Sequence, residues 1–271
     1  SCANNLKQVG LSFKMYTSEA DGHTFPPGKY MDGDAGPRFP EFDFFFQGHT
    51  MYPEYLTDIN VLFCPSDPDA VSGMAEGVFN CSRDKTQICP YRFGRRSYIY
   101  LPWAIQPEHI ISQGMNPNNP NFTYKDIDPT SRLVFDDLHL TYEPLVSESG
   151  EKSDRDILFS DYTPGNPLIM RRLRDGVERF FITDINNPAA SAEAQSTISV
   201  MLDDFSPKFG SQKFGVGGSR MNHSPGGCNV LYMDGHVSFV NYPGEWPITH
   251  VMSVFMGFYN PLWERILESG G

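Results

Sequence analysis

The first 27 residues, SCANNLKQVGLSFKMYTSEADGHTFPP, constrain this chain more than any other stretch. Leu6, Val9, Phe13 and Tyr16 follow one another at spacings of three, four and three, which a 3.6-residue period aligns on one stripe. Something has to cover that stripe. Each such side chain stabilises the fold by roughly 1.5 to 3 kcal/mol when fully buried, so a helix of about five turns can seat a whole sheet. Asp21 and Gly22 stop the helix, and Pro26 with Pro27 keeps the chain from resuming it. The chain opens on Ser1 with no initiator Met and enters the helix at once. The expectation is a longer protein whose N-terminus lies upstream of Ser1.

What the stripe covers is not a helical bundle. The 22 Pro and 24 Gly, with hydrophobic content at 39%, call for many connections between short elements. A net charge of −12 argues against holding a nucleic-acid backbone or an anionic membrane by bulk electrostatics, because both need a basic face. The same charge suits divalent cations. Calcium takes six to eight oxygen ligands, and candidates for it are Asp32 and Asp34 in a Gly-rich loop with Asp203 and Asp204 at a strand end. The alternative is that these are solvated turn carboxylates. No run of about 20 apolar residues is present to span a membrane.

Short elements can be placed along the chain. Phe42, Phe44, Phe45 and Phe46 are too dense for an ordinary surface and read as core. Asn60 to Cys64 reads as a strand ended by the turn Pro65-Ser66-Asp67, and Ser97 to Leu101 as another. Arg132 to Phe135 and Ile198 to Leu202 read as strands, each followed by an Asp pair, Asp136-Asp137 and Asp203-Asp204. A helix over Ala189 to Gln195 starts at Asn187-Pro188. The strongest local signal is NVLYMDGHVSFV: runs Asn229 to Met233 and His236 to Val240 flank Asp234-Gly235, a pair favoured in type I′ hairpin turns. Val251, Val254, Phe255 and Phe258 make the stripe of a last helix.

The five cysteines lack the Cys-x-x-Cys spacing of a structural zinc site. Cys81 and Cys89 bracket a polar loop, SRDKTQI, that buries little, so in an oxidising compartment they are expected to bridge. In a cytosolic protein they are free thiols. A second pair is expected between Cys2 and Cys64, and Cys228 is then the odd one, buried at the hairpin.

In combination, these stretches resemble the bacterial type IV pilin-like proteins with a prepilin N-terminus and a C-terminal H-x9-D-G motif. The helix SCANNLKQVGLSFKMYTSEADGHTFPP is similar to the segment after that family's hydrophobic half-helix, and FCPSD to its Cys-Pro-Ser-Asp element. The His motif is matched by His223, Asp234 and Gly235, with ten residues between His223 and Asp234. The resemblance implies an α+β pilin-like fold, an N-terminal spine helix packed on an antiparallel β-sheet with long loop insertions. It implies one head over residues 1–271, with 1–22 the C-terminal half of the spine helix and 222–245 the hairpin motif region. It also implies an exported protein at the cell surface or in the periplasm, anchored in the inner membrane before assembly. Its partners are then homologous pilin-like subunits, met through a helix that this chain lacks, and the chain alone is expected to be a monomer.

The leading functional expectation is a non-enzymatic structural subunit of a type IV pilin-like or type II secretion pseudopilin-like assembly. The alternative is an extracellular glycan- or ligand-binding adhesin module in which the aromatic cluster and Trp103 stack on sugars. A third reading groups His223, His236 and Asp234 as an acid/base or metal site. Against it, the chain shows no Ser or Cys nucleophile motif, no phosphate-binding Gly loop and no HExxH helix.

Overall fold

Helix α1 (Cys2–Glu19) leads into strands β1 (Gly28–Asp32) and β2 (Phe39–Phe46), which pair as an antiparallel ribbon. Then come α2 (Ala70–Glu76), β3 (Tyr98–Tyr100), α3 (Pro129–His139) and the short pair β4 (Ile157–Leu158) and β5 (Ile169–Met170). The chain closes with α4 (Pro188–Gln195), β6 (Ser199–Asp203), β7 (Gly227–Tyr232), β8 (Val237–Asn241) and α5 (His250–Phe258). The computed structural model describes residues 2–33, 39–67, 70–82, 84–139, 153–182, 188–205, 221–223 and 226–259. It is a mixed α+β fold with antiparallel sheets.

The central sheet has the order β3-β6-β7-β8, and its register sets Tyr98 opposite Asp203 and Leu202 opposite Val230. Side chains alternate between its faces. Tyr98, Met201, Leu231 and Met233 join the core under α1, while Ile99, Leu202, Cys228 and Val230 join a second core on the far side. Leu6, Val9 and Phe13 lie fully buried on the first face, as their spacing predicts. Gly10 sits among them, where an added Cβ would stand 2.9 Å from Leu231 Cδ1, so a missing side chain is what lets the helix come down on β7. Tyr16 ends the stripe half-buried, edge-on to Tyr55 at 5.5 Å. The far core is capped by α3 and α5 through Val134, Phe135, Leu138, Val251, Met252 and Phe255.

The aromatic run supplies both cores: Phe42 and Phe44 enter the far one, Phe45 and Phe46 the one under α1. All four are at most 3% exposed, and Trp103 is fully buried with its Nε1 donating to the Arg155 carbonyl. None presents a face on which a sugar could stack, which removes the aromatic platform expected for glycan binding.

Three local expectations are corrected. Residues 132–135 belong to α3, not to a strand. Asp128 accepts from the Thr130 N–H at 2.9 Å and Pro129 opens the first turn, a helix start that outweighs a three-residue apolar run. Its acidic pair is spent locally, Asp136 on the Tyr259 hydroxyl and Asp137 on that of Tyr162. Residues 59–62 form a 3-10 turn, because Asp58 accepts from the Asn60 N–H and so closes the backbone locally. The hairpin stands, but its turn is not type I′: Gly235 N–H reaches the Tyr232 carbonyl and only Gly235, at φ 90°, is left-handed. Asp234 is not, so Asp-Gly occupies the last two positions of a type I turn with a following bulge.

Candidate functional site

Strand β6 runs one residue beyond its expected end, and that residue decides the chemistry. Asp203 is its last member and points to the α1 face, fully buried. Asp204, the next residue, turns the other way and pairs with Arg95 at 2.9 Å. The two cannot close on one ion from one side. Asp32 is held elsewhere, its Oδ1 accepting from the Gly33 N–H and lying 3.9 Å from Lys29 Nζ; Asp34 lies outside the described residues. The calcium set Asp32, Asp34, Asp203 and Asp204 is therefore not assembled among the described residues.

Asp203 meets other groups. Its Oδ2 accepts from the Asn229 backbone N–H at 2.6 Å, from Asn229 Nδ2 at 2.8 Å and from His223 Nε2 at 2.9 Å. Its Oδ1 is buried and has no partner among the described residues. Three donors on one oxygen and none on the other is an unbalanced place for a buried carboxylate. His223 comes from the segment just before β7, and its imidazole is edge-on to Phe239 with ring centroids 6.0 Å apart. The Asp203 oxygen favours the protonated ring and raises the His223 pKa above the ordinary value, against a smaller opposing effect of burial.

The fourth wall is sulfur. Cys2 at the start of α1 and Cys64, brought in by the turn through 59–62, are joined in a disulfide with Cα atoms 4.9 Å apart. Cys64 Sγ stands 3.8 Å from the same His223 Nε2. Asn5, one turn along α1, donates to the Phe63 carbonyl at 2.9 Å and reaches the Tyr98 hydroxyl at 3.4 Å, so the first turn is pinned beside the bridge. Cys81 and Cys89 form the second disulfide, and Cys228 is a free, buried thiol. Burial and the carboxylates of Asp203 and Asp204 push its pKa up, which keeps it protonated and inert.

Comparison with protein-family models, with curated proteins and with solved structures finds no match. The site has to be judged on its own chemistry.

The grouping of His223, His236 and Asp234 does not form. His236 Nδ1 pairs with Asp234 Oδ1 at 2.6 Å in the hairpin turn, whereas His223 lies before β7, at the other end of the strand pair. Six residues of β7 at about 3.3 Å each separate the two ends. Nor is Cys64, His223 and Asp203 a nucleophile relay. A relay uses the two ring nitrogens in turn, and here sulfur and carboxylate meet the same one. Four side chains converge on a common centre. Of them, Cys2, Cys64 and His223 had been singled out in the sequence for other roles, and Asp203 for calcium. Asn229 and Asn5 went unremarked, although an Asn within an apolar stripe or strand is a signal of a buried polar partner.

Proposed function

We propose that this chain is the head of a non-enzymatic, pilin-like or pseudopilin-like structural subunit. The observation that carries the reading is α1: one flank is seated on an antiparallel sheet through Leu6, Val9 and Phe13, while the other leaves Leu11 and Met15 exposed at 65% and 48%. A helix built this way serves a head on one side and neighbouring subunits on the other. No helix among the described residues is long and apolar enough to cross a membrane, so on this reading the anchor is a segment outside them. The chain alone is a monomer, and assembly depends on that segment.

The test is the gene. The reading expects, directly upstream of Ser1, a retained apolar stretch of about 20 residues, and subunits carrying it should assemble while the head alone does not. An ordinary cleaved signal peptide ending at Ser1 contradicts it. A second reading, an extracellular ligand-binding module, is favoured by one observation. A groove of about 480 Å³ runs along β8, lined by Tyr232, His236, Phe239 and Trp246 among others. Phe239 is 47% exposed, and binding to a saccharide array that Phe239→Ala abolishes would support this reading over the first.

A further inference from the structure

We propose that, once the Cys2–Cys64 bond is reduced, Cys2, Cys64, His223 and Asp203 hold one Zn²⁺ ion in a tetrahedral site of two sulfurs, one nitrogen and one oxygen. The inference does not rest on the filament reading. One donor atom from each of the four residues already lies within 4.8 Å of the others. Zinc with bonds of about 2.0 to 2.3 Å spaces its donors roughly 3.2 to 3.8 Å apart; Cys64 Sγ and His223 Nε2, at 3.8 Å, already stand at that spacing, while the two sulfurs have to separate and the other donors to shift by an ångström or so.

Four observations point to a site built for a cation. Cys64 Sγ, Asp203 Oδ2 and Asn229 Nδ2 crowd a single ring nitrogen, which can bond to only one of them well. Asp203 is a fully buried carboxylate with one oxygen unpartnered among the described residues. Its other oxygen is held in place by Asn229, the kind of outer hydrogen bond that orients a ligating carboxylate. His223 is 19% exposed at its side chain while Asp203 is at 0%, so an ion can reach the buried carboxylate from the His223 side. Two thiolates favour zinc over calcium or magnesium, which take oxygen donors.

The chemistry balances with a dithiol reductant. The S–S bond breaks, the dithiol becomes a disulfide, and its two electrons and two protons pass to the Cys2 and Cys64 sulfurs. Zinc then binds the two thiolates, and their protons leave to solvent with the Nε2 proton of His223. The start of α1 is thereby fastened to the same point in either state, by a covalent bond when oxidised and by the metal when reduced.

The test uses the full chain, oxidised or reduced with a phosphine, titrated with Zn²⁺ and separately with Co²⁺ as a spectroscopic probe. The reduced protein should take up one equivalent, with the visible bands of tetrahedral cobalt and a thiolate charge-transfer band, and the oxidised protein none. His223→Gln and Asp203→Asn should each weaken uptake at least about tenfold, since even outer partners of a metal are worth that much. The Cys81→Ser/Cys89→Ser double variant should bind like the parent. If reduction unfolds the chain, zinc should refold it. Four results overturn the proposal: a folded reduced chain that takes up no zinc, an octahedral cobalt spectrum, uptake that follows Cys81 and Cys89, or uptake indifferent to His223 and Asp203. A reduced, unfolded chain that zinc leaves unfolded does so as well.

Discussion

The two faces of the central sheet are built from alternate residues of the same strands, yet they differ in kind. The far face is mainly apolar where the strands meet the helices: Ile99, Leu202 and Val230 share a core with Phe135 and Phe255, with Phe44 within 5.9 Å of both rings. The α1 face starts the same way, with Tyr98, Met201 and Leu231 under Leu6, Val9 and Phe13. At its edge the pattern breaks, and Asp203 and Asn229 take the places where apolar residues would continue it. Burying an ionisable pair gains little stability over a packed apolar one. The far face therefore shows what this sheet needs in order to stand, and the α1 edge shows what it carries beyond that need.

The contrast can be broken at several places, in descending order of effect. Phe44→Ala on the far face should cost about 3 to 5 kcal/mol in urea unfolding; a loss under about 1 kcal/mol would mean that this core is not the support described. Removing the Cys2–Cys64 bridge by Cys64→Ala should cost about 4 kcal/mol and removing Cys81–Cys89 about 2.5, because the loops they close span separations of 62 and 8 residues. Equal losses from the two would contradict the special standing of the α1 clasp.

A pH series sharpens the comparison. His109, packed on Phe159 beside the far core, has its pKa lowered by burial, and its Nδ1 accepts from the Gln106 N–H. A depressed histidine contributes its full stability above the unfolded value of about 6.5 and loses it as pH falls towards the folded one. Stability should thus decline on acidification below about pH 6.5 by up to about 1.4 kcal/mol per pH unit, and His109→Asn should flatten that slope. A slope unchanged in the variant would assign the acid loss to other groups. The smallest effect is expected at the site itself. Asp203→Asn should cost only about 1 kcal/mol, because its amide oxygen still accepts from Asn229 and the partly exposed His223 can shed its proton, so no buried charge is left unpaired, whereas a loss as large as that of Phe44→Ala would make Asp203 a structural residue.

How much of this was legible in the sequence follows from how local each signal is. The α1 stripe and the 229–240 hairpin were legible because their periods are complete within a dozen residues, and the aromatic run because no surface carries four such rings. The turn type was not, since Asp-Gly serves both as the central pair of a type I′ turn and as the last two residues of a type I turn with a bulge. Residues 132–135 were misread because an apolar run of three fits either period, and the deciding Asp128-Pro129 lay outside it. The roles of Arg171, Arg172 and Arg174 depend on partners far along the chain: Asp156 binds Arg171 and Arg174, and buried Arg172 donates to the Pro102 and Phe25 carbonyls. The site was legible only in pieces. Cys2, Cys64, Asp203 and His223 are spread over more than 200 positions of the chain, and only the register of β6 on β7, with α1 above, brings them together.

The most direct measurement of the central claim is the zinc X-ray absorption spectrum of the reduced, zinc-loaded protein. The account predicts a four-coordinate shell with two sulfurs at about 2.3 Å and two nitrogen or oxygen atoms at about 2.0 to 2.2 Å, and a shell short of one light atom in Asp203→Asn. A shell of six oxygens, or one of four sulfurs unchanged in that variant, would contradict it.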